Sequence, residues 1–545
     1  MVDIDRWITD LPFSERYSFY TRANAGEVLP HPPSPLAFST TWVQGTMLGW
    51  HDSMISVGTC DPDELDPEEV IGVFGGYLYI NAAVSRLFGV RGPNLSAEMI
   101  DFTYFGDHPD VPPYVPEPWH EHPDATAKIG AWMTEVLTGD LEVLLHDQAE
   151  ADRARDERPD LTRLSDHELV ARARSFLPAI RRLFERHIIV TAGTSIGSGT
   201  INAICEAVGD PTLGLKLISG VGDVDSALPS NAMWALSRLD PESDEFRAGF
   251  DEFLYRYGSR GPNEWDVLSD TWETDRQLAL DLIEVMRKQD DDGDPASRHA
   301  ERAAEREAVT EQLRTALAAD AEALGQFEAG LASAHRYLAG RERAKTNIIK
   351  VINEVRLAFR ELASRHDYDL AEFHMLLDDE LEAFLTAPDE FRARLAQRLE
   401  EYRRIQGIEP PFIITSPPDV STWPAKGVSS AGVATTGDVL TGVPGCPGTA
   451  TGTARVILDP TDPLALEPGE ILVAPLTDPA WTPLFVPSAA VVVDVGAQVS
   501  HAIIVSRELG LPCVVSVTGA TQSIPDGATI TVDGDAGTVT VDALP

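Results

Sequence analysis

The residue pattern changes character twice along the chain, and one layered core cannot accommodate both ends. Up to about Gln406 apolar residues recur mainly at helical spacing. Ala300–Lys350 is rich in Ala, Glu, Arg and Leu, Glu361–Arg403 repeats the pattern, and shorter runs cover Asp166–Ile188 and Ser230–Arg238. Gly407–Val439 has no period and is dense in Pro, Gly, Ser and Thr. From Leu440 short β-branched runs follow one another (TARVIL, EILVAP, AAVVVDV, PCVVSV, ATITVDG, GTVTVDA), with turns between them. One helix interrupts them, from His501 to about Leu509, stopped by Gly510 and Pro512. The pattern predicts a multidomain protein: a large, mainly α-helical domain over 1–406, a linker over 407–439 and a small β/α domain over 440–545. The linker is expected to be a hinge, stiff at its Pro-rich start. The small domain is expected to bury little surface against the large one.

Composition removes several function classes. The chain has 87 Asp and Glu against 43 Lys and Arg, a formal charge of −44. Such a field repels nucleic acid and anionic membrane, so neither is expected as a partner. Cys60, Cys205, Cys446 and Cys513 form no CxxC pair, which argues against a disulfide framework or zinc ribbon and suits a reducing compartment. The N-terminus carries acids where a secretion signal carries basic residues, and no stretch is read as approaching the ~20 apolar residues of a membrane span. The expected location is the cytoplasm. The acidic stretch Gln289–Asp294 reads as a solvated loop without the closing glutamate of a calcium site, and no metal-ligating set is expected. Thr191–Thr200 (TAGTSIGSGT) is glycine-rich between helical runs and weak as a phosphate loop.

The main chemical signal is VVVDVGAQVSHAIIVSRELGLPCVVSV. An apolar strand runs into Gly496, and Ser500-His501 opens a helix. A group at a helix start faces unpaired N–H donors and the positive end of the dipole. A neutral imidazole there can attack phosphorus and then hold a dianionic group against those donors. Gly496 admits close backbone approach, Ser500 offers a hydroxyl, and Arg507 either orients the loaded group or caps the helix.

This segment closely resembles the mobile phosphohistidine domain of the phosphoenolpyruvate-utilising enzymes. The resemblance rests on Gly496, Ser500, His501, Ala502, Arg507, Glu508, Leu509, Gly510, Leu511 and Pro512. Gly442–Val456 (GVPGCPGTATGTARV) and Ile471–Phe485 (ILVAPLTDPAWTPLF) extend it. Two positions depart from the family pattern: Ala497 stands for a second glycine and Val499 for a threonine. Three patches upstream resemble the substrate-binding region of the rifampin phosphotransferases in that family. They are Thr21–Ser39 (TRANAGEVLPHPPSPLAFS), Phe253–Trp272 (containing RYGSRGPNEWD) and Arg341–Lys345 (RERAK).

The resemblance implies a phosphotransferase in which His501 is the carrier. Arg341 and Lys345, four apart on one helix face, repel slightly in isolation but together would suit a transferring phosphoryl group, with Glu342 as the base for an acceptor hydroxyl. Arg260, Glu264 and Asp266 are candidate substrate-binding residues, although Arg260 and Asp266 could equally pair to brace a turn. No permanently bound cofactor is expected. Nothing before Gly407 reads as an ATP-grasp domain, so ATP and Mg are expected on a separate ATP-grasp partner. The acceptor is expected to be a small alcohol or phenol. Apolar residues near Trp42, Met47, Trp50 and Trp234 fit either an apolar acceptor or core packing. Two alternatives remain at this stage: a phosphorylation-driven dehydratase, and an inactive binding protein.

Overall fold

The computed structural model describes residues 6–105, 110–222, 224–289, 294–426, 432–458, 466–477, 481–496 and 500–545. Ala497, Val499 and residues 290–293 of the acidic stretch lie outside them. A large helical region precedes a small α/β domain, the predicted fold class. The helical region is built on two long helices packed side by side, Leu177–Val208 and Ala321–Arg365. TAGTSIGSGT is not a loop but the interior of the first. A Cβ on Gly197 would stand 2.4 Å from the Ala334 nitrogen, and one on Gly193 2.4 Å from the Tyr337 ring, so these glycines let the two helices touch. The same helix corrects a second expectation. The run Asp166–Val208 is apolar enough to cross a membrane by length and composition. Its Ile180, Leu183, Phe184 and Ile201 are instead buried in the helical core.

A small sheet, not foreseen in the sequence, closes one end of this region. Its strands are β1 (Tyr20–Thr21), β2 (Ile71–Phe74), β3 (Tyr77–Asn81) and β4 (Ile413–Ile414), in the order β2-β3-β1-β4. β2 and β3 form a hairpin across Gly75 and Gly76, both at positive φ. β4 comes from the stretch read as a linker. That reading holds for only part of the stretch. Ile408 bridges Ala425, the Tyr79 hydroxyl donates to the Pro411 carbonyl, and Lys426 N–H donates to Gly407 O. Thus 407–426 belong to the body, because two tyrosines and a strand partner satisfy their backbone. At the other end, Ala434 donates to Ser523 and Gly437 to Val541, within the small domain.

The small domain holds eight strands: β5 (Val439–Thr441), β6 (Val443–Cys446), β7 (Thr449–Val456), β8 (Ile471–Ala474), β9 (Ala490–Val493), β10 (Cys513–Val515), β11 (Thr529–Asp533) and β12 (Thr538–Ala543). Their order is β5-β12-β11-β7-β8-β9-β10-β6, with β7 to β10 parallel. The central strands are buried on both faces, as parallel strands require. His501–Leu509 is a helix as expected.

The domain does not stand apart from the body, contrary to expectation. Met233, Trp234, Phe250, Leu282 and Met286 of the body share one apolar cluster with Trp481, Leu484, Phe485 and Val505. Polar contacts add to it. Glu508 meets His299 Nδ1 at 3.1 Å and the Val221 N–H at 3.5 Å, and Arg298 donates to the Val486 carbonyl. The structure therefore shows the helix His501–Leu509 docked against the body.

Candidate phosphoryl-transfer site

Ser500 is the N-cap of the helix His501–Leu509. Its hydroxyl is buried and accepts from the Ile503 N–H, so it is engaged in capping. His501 follows as the first helical residue and is only 9% exposed. Thr482 Oγ1 lies 2.9 Å from its Nε2 and Thr477 Oγ1 3.2 Å from its Nδ1, with the Phe485 ring edge-on at 5.8 Å. Burial, then the neighbouring Lys345, Arg260 and Arg341 cations, hold the imidazole well below the usual histidine range. It is a neutral base in a positive field.

The three upstream patches converge on it. Arg341 and Lys345 arrive from the long helix Ala321–Arg365. Arg260 and Glu264 come from the loop after the helix Asp244–Tyr257. Glu264 is fully buried and sits between cations: Arg260 Nε donates at 2.7 Å and Lys345 Nζ lies at 3.1 Å. Burial alone would raise its carboxyl, but Arg260 and Lys345 hold it below the glutamate range. Arg341 Nε is buried with no hydrogen-bond partner among the described residues, and its Nη1 lies 3.8 Å from Glu342. Lys345 Nζ also stands 6.0 Å over the Trp265 ring.

Some expected residues sit elsewhere. Asp266 does not pair with Arg260; its carboxylate accepts from the Ser34 N–H and hydroxyl at 2.7 and 2.8 Å. It is a brace joining this loop to the first patch. Arg507 donates to the Gly445 carbonyl on β6 and is half-buried there, away from the imidazole at the other end of the helix. The Gly496 carbonyl accepts from the Ser516 hydroxyl. Trp42 and Met47 are core residues, and the Trp42 indole donates to the Trp265 carbonyl.

Three groups escaped the sequence reading. Thr477 and Thr482 fell within a recognised segment, yet nothing local marks them as partners of His501. Arg356, fully buried, donates to the carbonyls of Glu264 and Asp266 and so holds the loop from behind. Glu27 lies in the short helix Ala25–Val28 and is 4% exposed. Burial pushes its carboxyl up to about 7, against the opposing pull of Arg341, the Asn24 amide, Lys345 and the backbone N–H of His501. The Asn24 amide donates to Glu27 Oε2 at 3.1 Å.

The neutral imidazole at a helix start, ringed by cations, defines a phosphotransfer type of site, and comparison with known proteins gives the same class. Residues 466–537 match the PEP-utilising enzyme mobile domain, and residues 186–342 match the rifampicin phosphotransferase fourth domain. The chain is similar to the rifampicin phosphotransferase of Streptomyces sviceus, 32% identical over 55% of this chain and 35% of the relative. It is also similar to the prodigiosin synthesizing transferase PigC of Serratia marcescens, 26% identical over 99% of this chain and 65% of the relative. A probable phosphoenolpyruvate synthase of Staphylothermus marinus is 48% identical over 18% of this chain and 12% of that protein. The chain thus spans less than two thirds of each relative's length. The matched domains support a phosphotransfer role.

Proposed function

We propose that His501 accepts a phosphoryl group from an ATP-grasp protein using ATP and Mg, and delivers it to a hydroxyl of an apolar small molecule, an alcohol or phenol. The observation that carries this reading is the convergence of Arg260, Arg341 and Lys345, from two separate patches, on one buried neutral imidazole. Arg341, with an unpartnered Nε, and Lys345 stabilise the transferring group, and Arg260 adds to their field. Glu264 holds Arg260 and Lys345 in place, and Glu342 is a counter-ion for Arg341. Ser500 caps the helix that presents the imidazole, and Arg507 and Asp266 fix the surrounding backbone. A cavity no larger than a water molecule, lined by Ser230, Asn231, Thr482 and Val505, lies beside the imidazole's hydroxyl partner. The chemistry is that of a cytoplasmic enzyme supplied by ATP.

The test is incubation with ATP and candidate ATP-grasp proteins, followed by mass analysis of the carrier peptide. Phosphate on His501, absent in His501→Ala and transferred onward to an alcohol, is the expected result. An alkene with free phosphate would instead assign a dehydratase, and full activity in His501→Ala would exclude the carrier role.

A further inference from the structure

We propose that His299 and Glu508 form a proton-operated latch, which holds the small domain on the body when His299 is charged and loosens it when His299 is neutral. His299 lies on the body helix Pro295–Leu317, and Glu508 on the helix His501–Leu509 of the small domain. Their contact, Nδ1 to Oε2 at 3.1 Å, crosses the interface and exists only while the domain is docked. Glu508 is 7% exposed, and its Oε2 is buried without a hydrogen bond among the described residues. A protonated imidazole supplies the charge that this oxygen lacks, whereas a neutral one leaves the carboxylate buried at a cost to docking. The His299 side chain remains 28% exposed, which gives solvent protons access to it.

The neighbouring charges leave His299 as the group that titrates. On its own helix, Arg298 donates to the Val486 carbonyl, Arg302 meets Glu305 at 2.9 Å, and Arg306 donates to the Ser219 carbonyl. Lys216, from the helix Leu213–Leu217, also meets Glu305, at 3.0 Å. None of these groups changes charge in the range where histidine does. His335, on the long helix Ala321–Arg365, contacts the Leu217 carbonyl at 2.7 Å, and burial holds it below the usual histidine range. Arg507, next to Glu508, is turned to the Gly445 carbonyl, and the helix Leu228–Ser237 brings no charged side chain.

Docking brings a carboxylate to His299, so the docked state binds the proton more tightly than the undocked one. Docking is therefore favoured below the histidine range and weakens as pH rises through it. A hydrogen bond to a charged group corresponds to a change of about 10-fold in the docking equilibrium. The latch needs no phosphoryl chemistry; under the proposed carrier role, acid conditions retain His501 on the body and alkaline ones release it.

The experiment uses the full chain with Ser230→Cys, a buried body position that faces Thr482 and Val505 of the small domain across a water-sized cavity. Its modification by methyl methanethiosulfonate is followed by peptide mass analysis from about pH 5.5 to about pH 8.5, spanning the histidine range. Each rate is divided by that of the same protein unfolded in urea at the same pH, which removes the titration of the thiol itself. Native Cys205, buried within the body, reports opening of the body alone. The Ser230→Cys ratio should rise about 10-fold with pH while the Cys205 ratio stays level. Adding His299→Gln or Glu508→Gln should flatten the profile at the high-pH value. A flat profile in the Ser230→Cys protein, or a rise that survives either second substitution, overturns the latch. Because the readout involves no phosphohistidine, failure of the carrier role leaves this result standing.

Discussion

Replacing Lys345 by methionine isolates the contribution of one cation to delivery. The side chain keeps its length and its place beside Trp265, and only the charge is lost. Glu264 retains Arg260 through two hydrogen bonds, at 2.7 and 3.3 Å, so no carboxylate is stranded in the core. The fold should therefore survive, with a stability cost of about 1–2 kcal/mol for the lost charged contact. A unit charge about 5 Å from a transferring group, at an effective dielectric near 20, contributes about 3 kcal/mol. This corresponds to a slowing of delivery of about 150-fold, within the range for removal of one oxyanion donor. Loading of His501 by the donor should be unchanged, because the undocked histidine is away from Lys345. The assay is a pair of single-turnover measurements, donor to His501 and His501 to alcohol, on wild type and Lys345→Met. Equal delivery rates would show that the Arg341–Lys345 face is structural and that the acceptor is bound elsewhere.

Glu264→Gln should be far more damaging to the fold, because it leaves Arg260 and Lys345 without their counter-charge in the interior. A loss of about 3–5 kcal/mol is expected, read as a lower urea midpoint for the body. Since folding lowers the Glu264 pKa, its pairing stabilises the protein above the ordinary glutamate range. That contribution should fade in wild type, and not in the variant, as pH falls through the folded value. Glu508→Ala removes the contacts to His299 and the Val221 N–H, and should raise the undocked population several-fold. Small-angle scattering should then give a larger radius of gyration, and an unchanged radius would show that the apolar cluster alone holds the domain.

Much of the architecture was legible because it is periodic. The six β-branched runs near the C-terminus became strands, and the helix from His501 to Leu509 began and ended as its cap and stop residues dictate. Periodicity failed where local pattern competes with tertiary contact. TAGTSIGSGT reads as a loop by composition, yet its glycines are what a tight helix crossing demands. The hairpin Ile71–Asn81 carried a Gly-Gly turn signal that was lost inside a helical region. In the candidate site, His501, Arg341 and Lys345 stood out because motifs carry them. Glu27 lay inside one of the upstream patches, but no local pattern marks its burial in the short helix Ala25–Val28. The pairing of Asp266 with Ser34, and not with Arg260, was hidden for the same reason.

The tether between the two domains is much shorter than the composition implied. Among the described residues, the last backbone hydrogen bond to the body is at Lys426 and the first within the small domain is at Ala434. At ~3.3 Å per residue, that interval spans roughly 26 Å when fully extended. Under the proposed carrier role, His501 would be held at an effective concentration in the millimolar range, whatever the concentration of the protein. Any donor in solution at micromolar levels competes with the body for the same histidine at a disadvantage of about a thousandfold. Productive cycling then requires a donor with correspondingly higher affinity, or one held beside the body so that it shares the advantage of proximity. Lengthening the interval by a few flexible residues would dilute the histidine locally and shift that competition toward the donor, without altering any residue of either site.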